Sequence, residues 1–247
     1  MTPRYPHLLL LPGLVCDDAI WERQASHFSK ITTVKIPDYG LSGSLEEMAQ
    51  VALRDAPERF AVAGHSMGGR VAFEILRRVP ERVAGLAILD SAYRPRAGGE
   101  AGEGERVKRF ALLEVAQSQG MRAMAREWIP KIVHPSRLSD EAFINFIIEM
   151  IARKTPEIFA AQINALLNRP DAAPVLSAVR CPTVILCGRE DLWSPLAGHS
   201  EMGALVPQSK LAIIENCAHM APMERPEEVT AALSGWLDSL DRDRRQD

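Results

Sequence analysis

The sequence has no hydrophobic run long enough to cross a bilayer. Its first apolar stretch, Leu8 to Leu11, is far shorter than the roughly 20 residues of a membrane helix, and Pro12-Gly13 ends it. The same stretch is too short for the apolar centre of a signal peptide. We therefore expect no membrane partner and a cytoplasmic location.

Basic clusters and paired cysteines are also lacking. The 29 lysines and arginines are scattered among 32 aspartates and glutamates, so we expect no nucleic acid partner. The four cysteines show neither a C-x-x-C pair nor a metal-ligand spacing with histidine, which predicts free thiols and no metal site. A phosphate-binding glycine-rich loop is also absent from the sequence.

Short apolar runs alternate with amphipathic segments through much of the chain. Strands are predicted at His7–Leu11, Ile31–Ile36, Phe60–Ala63, Arg82–Leu89, Thr183–Cys187 and Lys210–Ile214. Helical patterns lie between most of them, so the connections suit parallel strands. The pattern predicts an α/β fold with a doubly wound, mostly parallel sheet of about six strands.

The alternation breaks between the fourth and fifth predicted strands. A connector rich in glycine, glutamate and arginine, Arg94 to Arg106, would permit hinge-like movement. Helices are predicted after it near residues 107–119, 121–133, 140–154 and 156–168. We therefore predict a core formed by residues 1–90 and 180–247, interrupted by a helical lid formed by residues 91–179.

The pentapeptide Gly64-His65-Ser66-Met67-Gly68 lies between a predicted strand and a predicted helix. In that context the pattern G-x-S-x-G is typical of a strained turn that holds the serine hydroxyl above the sheet. A side chain at either glycine would collide with the opposite limb of the turn. The alternative is a glycine-rich turn whose serine only caps the helix. We favour Ser66 as a nucleophile, which requires a base and an acid further along the chain.

Five segments together resemble the α/β-hydrolase superfamily over nearly the whole chain. They are Leu10–Leu14 with Trp21 nearby, the pentapeptide at 64–68, Arg180–Thr183, Gly188–Asp191 and Asn216–Pro226. The chain is similar to capped serine hydrolases such as carboxylesterases and pimeloyl-carrier-protein methyl ester esterases. It has Pro12 where many relatives carry histidine, and we expect no loss because the chemistry of that loop depends on a backbone N–H.

The resemblance implies a catalytic triad in the order serine, acid, histidine. His219 follows the last predicted strand and is expected to accept the proton of Ser66. Asp191, at the end of the fifth strand, is expected to orient that histidine. Asp90, at the end of the fourth strand, is the competing acid, because some relatives place the acid there.

The resemblance also implies an oxyanion hole formed by the backbone N–H groups of Leu14 and Met67. Candidate substrate-binding residues are large apolar side chains near these loops or in the lid. They are Trp21, Trp128, Phe143, Phe146, Trp193 and Met220. For the lid residues, packing within the lid itself is the alternative explanation.

These residues predict a serine hydrolase that cleaves a small or medium, fairly apolar carboxylic ester through an acyl-enzyme. Such a reaction requires no metal or organic cofactor, and we expect a monomer or homodimer. Two alternatives stay open. The same triad serves carbon-carbon bond hydrolysis of a diketone, lactone opening, perhydrolysis or acyl transfer, and some relatives are non-catalytic small-molecule receptors or regulatory proteins.

Overall fold

The computed structural model describes residues 6–243, with side chains through residue 240. Six strands form one sheet in the order β2-β1-β3-β4-β5-β6, and every neighbouring pair is parallel. The strands are β1 (His7–Leu11), β2 (Val34–Lys35), β3 (Phe60–His65), β4 (Val83–Leu89), β5 (Thr183–Gly188) and β6 (Lys210–Ile214). The predicted α/β fold is therefore confirmed.

Helices surround this sheet and fill the long interval between β4 and β5. The helices are α1 (Glu22–Phe28), α2 (Leu45–Leu53), α3 (Met67–Arg78), α4 (Gly99–Gln119), α5 (Met121–Trp128), α6 (Glu141–Ala152), α7 (Pro156–Leu167), α8 (Ala173–Ala178), α9 (Leu196–Leu205), α10 (Ala221–Glu224) and α11 (Pro226–Asp243). Within residues 6–243, no helix combines the length and apolarity needed to cross a membrane.

The central strands are buried along their whole length. Every residue of β3 and β4 is buried, which requires cover on both faces of the sheet. Helix α3 packs along β1, β3 and β4, while α11 packs along β4, β5 and β6 and contacts α1. This cover explains why both strands are continuous apolar runs in the sequence.

The predicted boundaries of one strand and one connector differ clearly from the structure. Strand β2 is shorter than residues 31–36, because the N–H groups of Ile31 and Thr32 donate back to Phe28 and continue the turn after α1. The predicted connector at 94–106 is helical from Gly99 onward. Ion pairs between positions three and four apart, such as Arg106–Glu103 at 2.6 Å, stabilise that helix despite its glycines.

Strained backbone collects at the carboxyl-terminal edge of the sheet. Among the described residues, the non-glycine residues with positive φ are Val15 (50°), Ser66 (53°), Asp90 (48°) and Asn216 (51°). They follow β1, β3, β4 and β6 respectively. Side chains disfavour this conformation, so it persists only where the surrounding structure holds it, and it clusters at functional sites.

Candidate active site

Ser66 occupies a tight turn between β3 and α3. Its backbone has φ 53° and ψ −115°, and its N–H donates to the carbonyl of Leu89 at 2.8 Å. A Cβ at Gly64 would collide with the carbonyl of Gly68, and one at Gly68 would collide with the carbonyl of Leu11. The Ser66 side chain makes no capping hydrogen bond to α3, so the helix-cap alternative is wrong.

A chain of hydrogen bonds joins Ser66 to the two other predicted residues. The Nε2 of His219 lies 2.8 Å from the Ser66 Oγ, and its Nδ1 lies 2.8 Å from the Asp191 Oδ2. An ionised carboxylate only accepts, so Nδ1 carries the hydrogen. In the neutral ring Nε2 is then the acceptor, which places a base against the serine hydroxyl.

The surroundings of Asp191 keep its carboxyl ionised. Its Oδ1 accepts the backbone N–H groups of Trp193 and Ser194, both at 2.8 Å. Burial by itself would raise the pKa of Asp191, but the charge and hydrogen bond of His219 and these two N–H groups outweigh it and lower the pKa. A buried anion fixed in this way holds the tautomer and orientation of the imidazole.

Asp90 lies beside this chain without joining it. It is fully buried, and its oxygens accept the N–H groups of Gly188 at 2.9 Å and Ala221 at 3.3 Å. Burial, followed by the charge of Asp191, raises the pKa of Asp90. Because its bonds go to two backbone segments, Asp90 ties the end of β5 to the start of α10, two residues after His219.

Two residues that sequence reasoning left without a role hold the His219 loop. The Nε2 of His65 donates to the His219 carbonyl at 2.7 Å, and burial, followed by the charge of His219, lowers the His65 pKa to about 3. The buried Glu224 accepts the N–H groups of Ala218 at 3.2 Å and Met220 at 3.0 Å. His65 lies in the pentapeptide at 64–68 and Glu224 in the segment Asn216–Pro226, yet the sequence does not predict the hydrogen bonds that either residue makes.

A cavity of about 240 Å³ opens beside Ser66. Leu14 and Met67, the predicted oxyanion residues, both line it. Met67 is the first residue of α3, where a backbone N–H has no acceptor within the helix. The neighbouring N–H of Val15 donates to Gln162 of α7 at 2.7 Å, which fixes the loop after β1.

Two of the six predicted substrate-binding residues reach this cavity. Trp128 and Trp193 line it, with their ring centroids 5.9 Å apart in an edge-to-face arrangement. Trp193 is also 6.4 Å from the His219 ring. These two tryptophans form an aromatic wall of the cavity, next to the hydrogen-bonded residues Ser66, His219 and Asp191.

The structure places the other four elsewhere. Trp21 is completely buried and packs edge-on against His65 at 6.4 Å, so it supports the turn from below. Met220 is also buried and lies outside the cavity lining. Phe143 and Phe146 line a separate surface depression near α1, because α6 turns that side away from Ser66.

One group of side chains in the described part of the chain matches the spacing of metal ligands. Asp90, Cys187 and Asp191 lie within 4.8 Å of one another and are all buried. However, the carboxylates already accept the hydrogen bonds described above, and burial raises the pKa of the Cys187 thiol. These three side chains are therefore better suited to holding the surrounding backbone by hydrogen bonds than to binding a metal ion.

A sequence model of the alpha/beta hydrolase family matches residues 8–232, and the chain belongs to that family. Its relatives and structural neighbours include esterases, and the chain is a hydrolase of this family. It is 24% identical over 246 residues to the pimeloyl-acyl-carrier protein methyl ester esterase of Nitrosomonas europaea, covering 92% of this chain and 94% of that protein.

Two solved structures illustrate the likeness. A thermophilic esterase from Thermogutta terrifontis with malate bound is 28% identical, with a TM-score of 0.84 over 96% of this chain and 90% of that one. The enol-lactonase from Burkholderia xenovorans is 20% identical, with a TM-score of 0.82 over 95% of this chain and 92% of that one. At the second identity the likeness concerns the fold alone.

Proposed function

We propose that this protein is a serine hydrolase that cleaves carboxylic esters through an acyl-enzyme on Ser66. One observation carries the proposal: the continuous hydrogen-bonded chain from Ser66 through His219 to Asp191, which ends at a cavity. A hydroxyl is a weak nucleophile at neutral pH, and an adjacent base oriented by a carboxylate activates it. The resemblance to esterases supports the choice of an ester substrate.

In the first half-reaction Ser66 Oγ attacks the ester carbonyl carbon while His219 Nε2 takes the hydroxyl proton. The carbonyl oxygen becomes an oxyanion. The bond from carbon to the leaving oxygen then breaks, and His219 returns the proton to the departing alcohol. In the second half-reaction water repeats these steps on the acyl-enzyme, so that the acid is released and Ser66 is regenerated.

The oxyanion is stabilised by the backbone N–H groups of Leu14 and Met67. Their position in the lining of the cavity supports this role. Donors of this kind contribute on the order of 10²- to 10³-fold each to kcat, because they are already aimed where charge develops. The bond between Val15 and Gln162 keeps the first of them in place.

The helical segment of residues 91–179 acts as the lid of this site. Arg109, Trp128 and Leu166 from that segment line the cavity together with Ser66, which supports the role. The lid therefore selects substrates, whereas the sheet edge supplies the chemistry. Residues 1–90 and 180–247 then form the catalytic core.

A fluorophosphonate probe and p-nitrophenyl esters of graded chain length test the proposal. The wild-type protein is expected to be labelled at Ser66 and to turn over short esters, whereas Ser66→Ala loses both. A Ser66→Ala protein with near-wild-type turnover contradicts the acyl-enzyme. A wild-type protein that binds esters without labelling or turnover is instead a receptor. Diketone and lactone substrates in the same panel separate the other reactions of this triad.

A further inference from the structure

Three arginines and one glutamate line the same cavity as Ser66. Arg70 lies on α3 one turn after Ser66, about 6 Å along the helix axis. Glu105 and Arg109 lie on α4, and Arg169 follows α7. The group therefore joins the catalytic helix to the inserted helical segment.

Glu105 neutralises only part of this positive charge. Its carboxylate accepts two bonds from Arg169, both at 2.7 Å, and one from the Nε of Arg109 at 2.9 Å. Arg70 instead donates to the carbonyl of Arg94 at 3.1 Å. Among the residues of 6–243 that line the cavity, three positive charges thus face a single negative one.

The excess charge is held where solvation is poor. The side chains of Arg109 and Arg169 are each 10% exposed, and Arg70 is half-buried. Burial, followed by the charges of Arg169 and Arg109, lowers the pKa of Arg70 to about 9, so it stays a cation at neutral pH. Arg70 is therefore a half-buried cation with no ion pair of its own, and an anion entering the cavity would provide one.

A neutral donor supplements the arginines. Trp128 also lines the cavity and is 5% exposed, and its indole Nε1 is buried without a hydrogen-bond partner among the described residues. Indole nitrogen only donates, so it too calls for an acceptor. Three arginines and a tryptophan whose N–H has no partner therefore line the cavity beside the nucleophile.

We propose that the preferred substrates are short esters that carry a carboxylate, held at Arg70 with support from Arg109 and Trp128. This inference rests on the proposed ester hydrolase function and names its substrate class. A guanidinium fork matches a carboxylate in geometry as well as charge. A cavity of about 240 Å³ has room for a short chain between the ester group at Ser66 and the carboxylate at Arg70. The inference replaces the fairly apolar ester expected from the sequence.

The first experiment uses the wild-type protein alone. It compares kcat/KM for monoethyl glutarate with that for its monoamide, which has the same shape without the charge. We expect the carboxylate to be preferred by at least 10-fold, as hydrogen bonds to charged groups usually give. A parallel pair, butyryl glycolate and its amide, places the charge on the alcohol side, and a preference in either pair supports the proposal.

The second experiment removes the charge of one arginine. Arg70→Gln is expected to lower kcat/KM for the preferred carboxylate by about 10- to 100-fold. It should lower the rate on the amide by a clearly smaller factor, because the amide carries no charge for Arg70 to pair with, and it should leave labelling of Ser66 by the fluorophosphonate intact. Arg126→Gln, at an exposed position of α5, is the matched control and should change neither substrate.

The outcomes separate this proposal from the function on which it rests. Equal rates on both members of each pair, with Ser66 still labelled by a fluorophosphonate, overturn the carboxylate proposal and leave the ester hydrolase standing. The proposal is also overturned if Arg70→Gln keeps both the wild-type kcat/KM for the carboxylate substrate and the wild-type preference for it over the amide. Absence of labelling and of all ester turnover overturns both. The comparison on the wild type decides the matter even where Arg70→Gln does not fold.

Discussion

Gln162 accepts a hydrogen bond from the backbone N–H of Val15 at 2.7 Å, across 147 positions of sequence. The bond links α7 of the inserted segment to the loop that follows β1. Gln162 is 2% exposed, so water cannot readily take the place of its side-chain oxygen as the acceptor of this bond. The next residue back along that loop is Leu14, and any movement of the loop displaces the N–H proposed for the oxyanion.

We predict that Gln162→Leu is destabilised by about 1–3 kcal/mol, because the buried Val15 N–H is left without an acceptor. Turnover of p-nitrophenyl esters should fall by roughly tenfold through kcat, since displacement of an oxyanion donor affects the transition state more than binding. Urea unfolding and steady-state kinetics measure the two effects. Gln117→Leu, at an exposed position of α4, is the control and should stay within about 0.5 kcal/mol of wild type.

Substitution of the two buried aspartates tests which one is the acid of the triad. Asp191→Asn should lower kcat by about 10⁴-fold, because the amide favours the wrong tautomer of His219. Asp90→Asn should lower kcat by less than about tenfold, since its oxygens accept backbone N–H groups and make no hydrogen bond to His219 itself. Measured kcat values in the reverse order would contradict the assignment.

Asp90 should also make stability depend on pH. Its folded-state pKa lies above the unfolded value of about 3.9, so between these two values only the folded state holds the proton. Stability from this carboxyl is therefore present at low pH and is lost as pH rises through that window. Asp90→Asn has no such proton to release.

The free energy of unfolding of Asp90→Asn, relative to wild type, should consequently rise as the pH increases above about 4. The slope should reach up to about 1.4 kcal/mol per pH unit within the window. Urea denaturation at several pH values measures it. If the curves of the two proteins run parallel over this range, the raised pKa is wrong.

Gly68 and Gly104 provide a matched pair for the turn around Ser66. Gly68→Ala should destabilise by about 3 kcal/mol or more, or prevent folding, because its Cβ meets the backbone of Leu11 and Pro12. Gly104→Ala lies on α4 with open space around the added carbon and should stabilise by about 0.5–1 kcal/mol. Thermal unfolding measures both. Equal behaviour of the two variants would argue against steric closure of the turn.

The sequence predicts best what repeats along the chain. Strand β1 begins and ends where the apolar run predicts, because a buried strand of a parallel sheet leaves a continuous signal. Strand β6 also matches its predicted bounds, although it is an edge strand whose first two residues are exposed. Local chemistry also fixes the start of α7, where Thr155, a residue type common at N-caps, accepts the N–H of Ile158 with its side chain. The loops that bring Ser66, Asp191 and His219 together are predictable because parallel strands share one carboxyl edge.

The remaining features depend on contacts between distant segments. Helix α8 is missed because Ala173–Ala178 is short and carries no clear amphipathic signal. Arg70 has a local signal, one turn after the nucleophile, but Arg109 and Arg169 meet it only because the inserted helices fold back over the sheet edge. No spacing rule predicts that two of these arginines, Arg109 and Arg169, share one glutamate.

Trp193 gives the site its own fluorescent reporter. It is 37% exposed, whereas Trp21, Trp128 and Trp236 are at most 5% exposed, so it offers a water-borne quencher far more access than the other indoles. Its ring lies beside His219 and 5.8 Å beneath the guanidinium of Arg109. Occupancy of the cavity should therefore shield its emission from acrylamide, which makes ligand entry visible by light without any label.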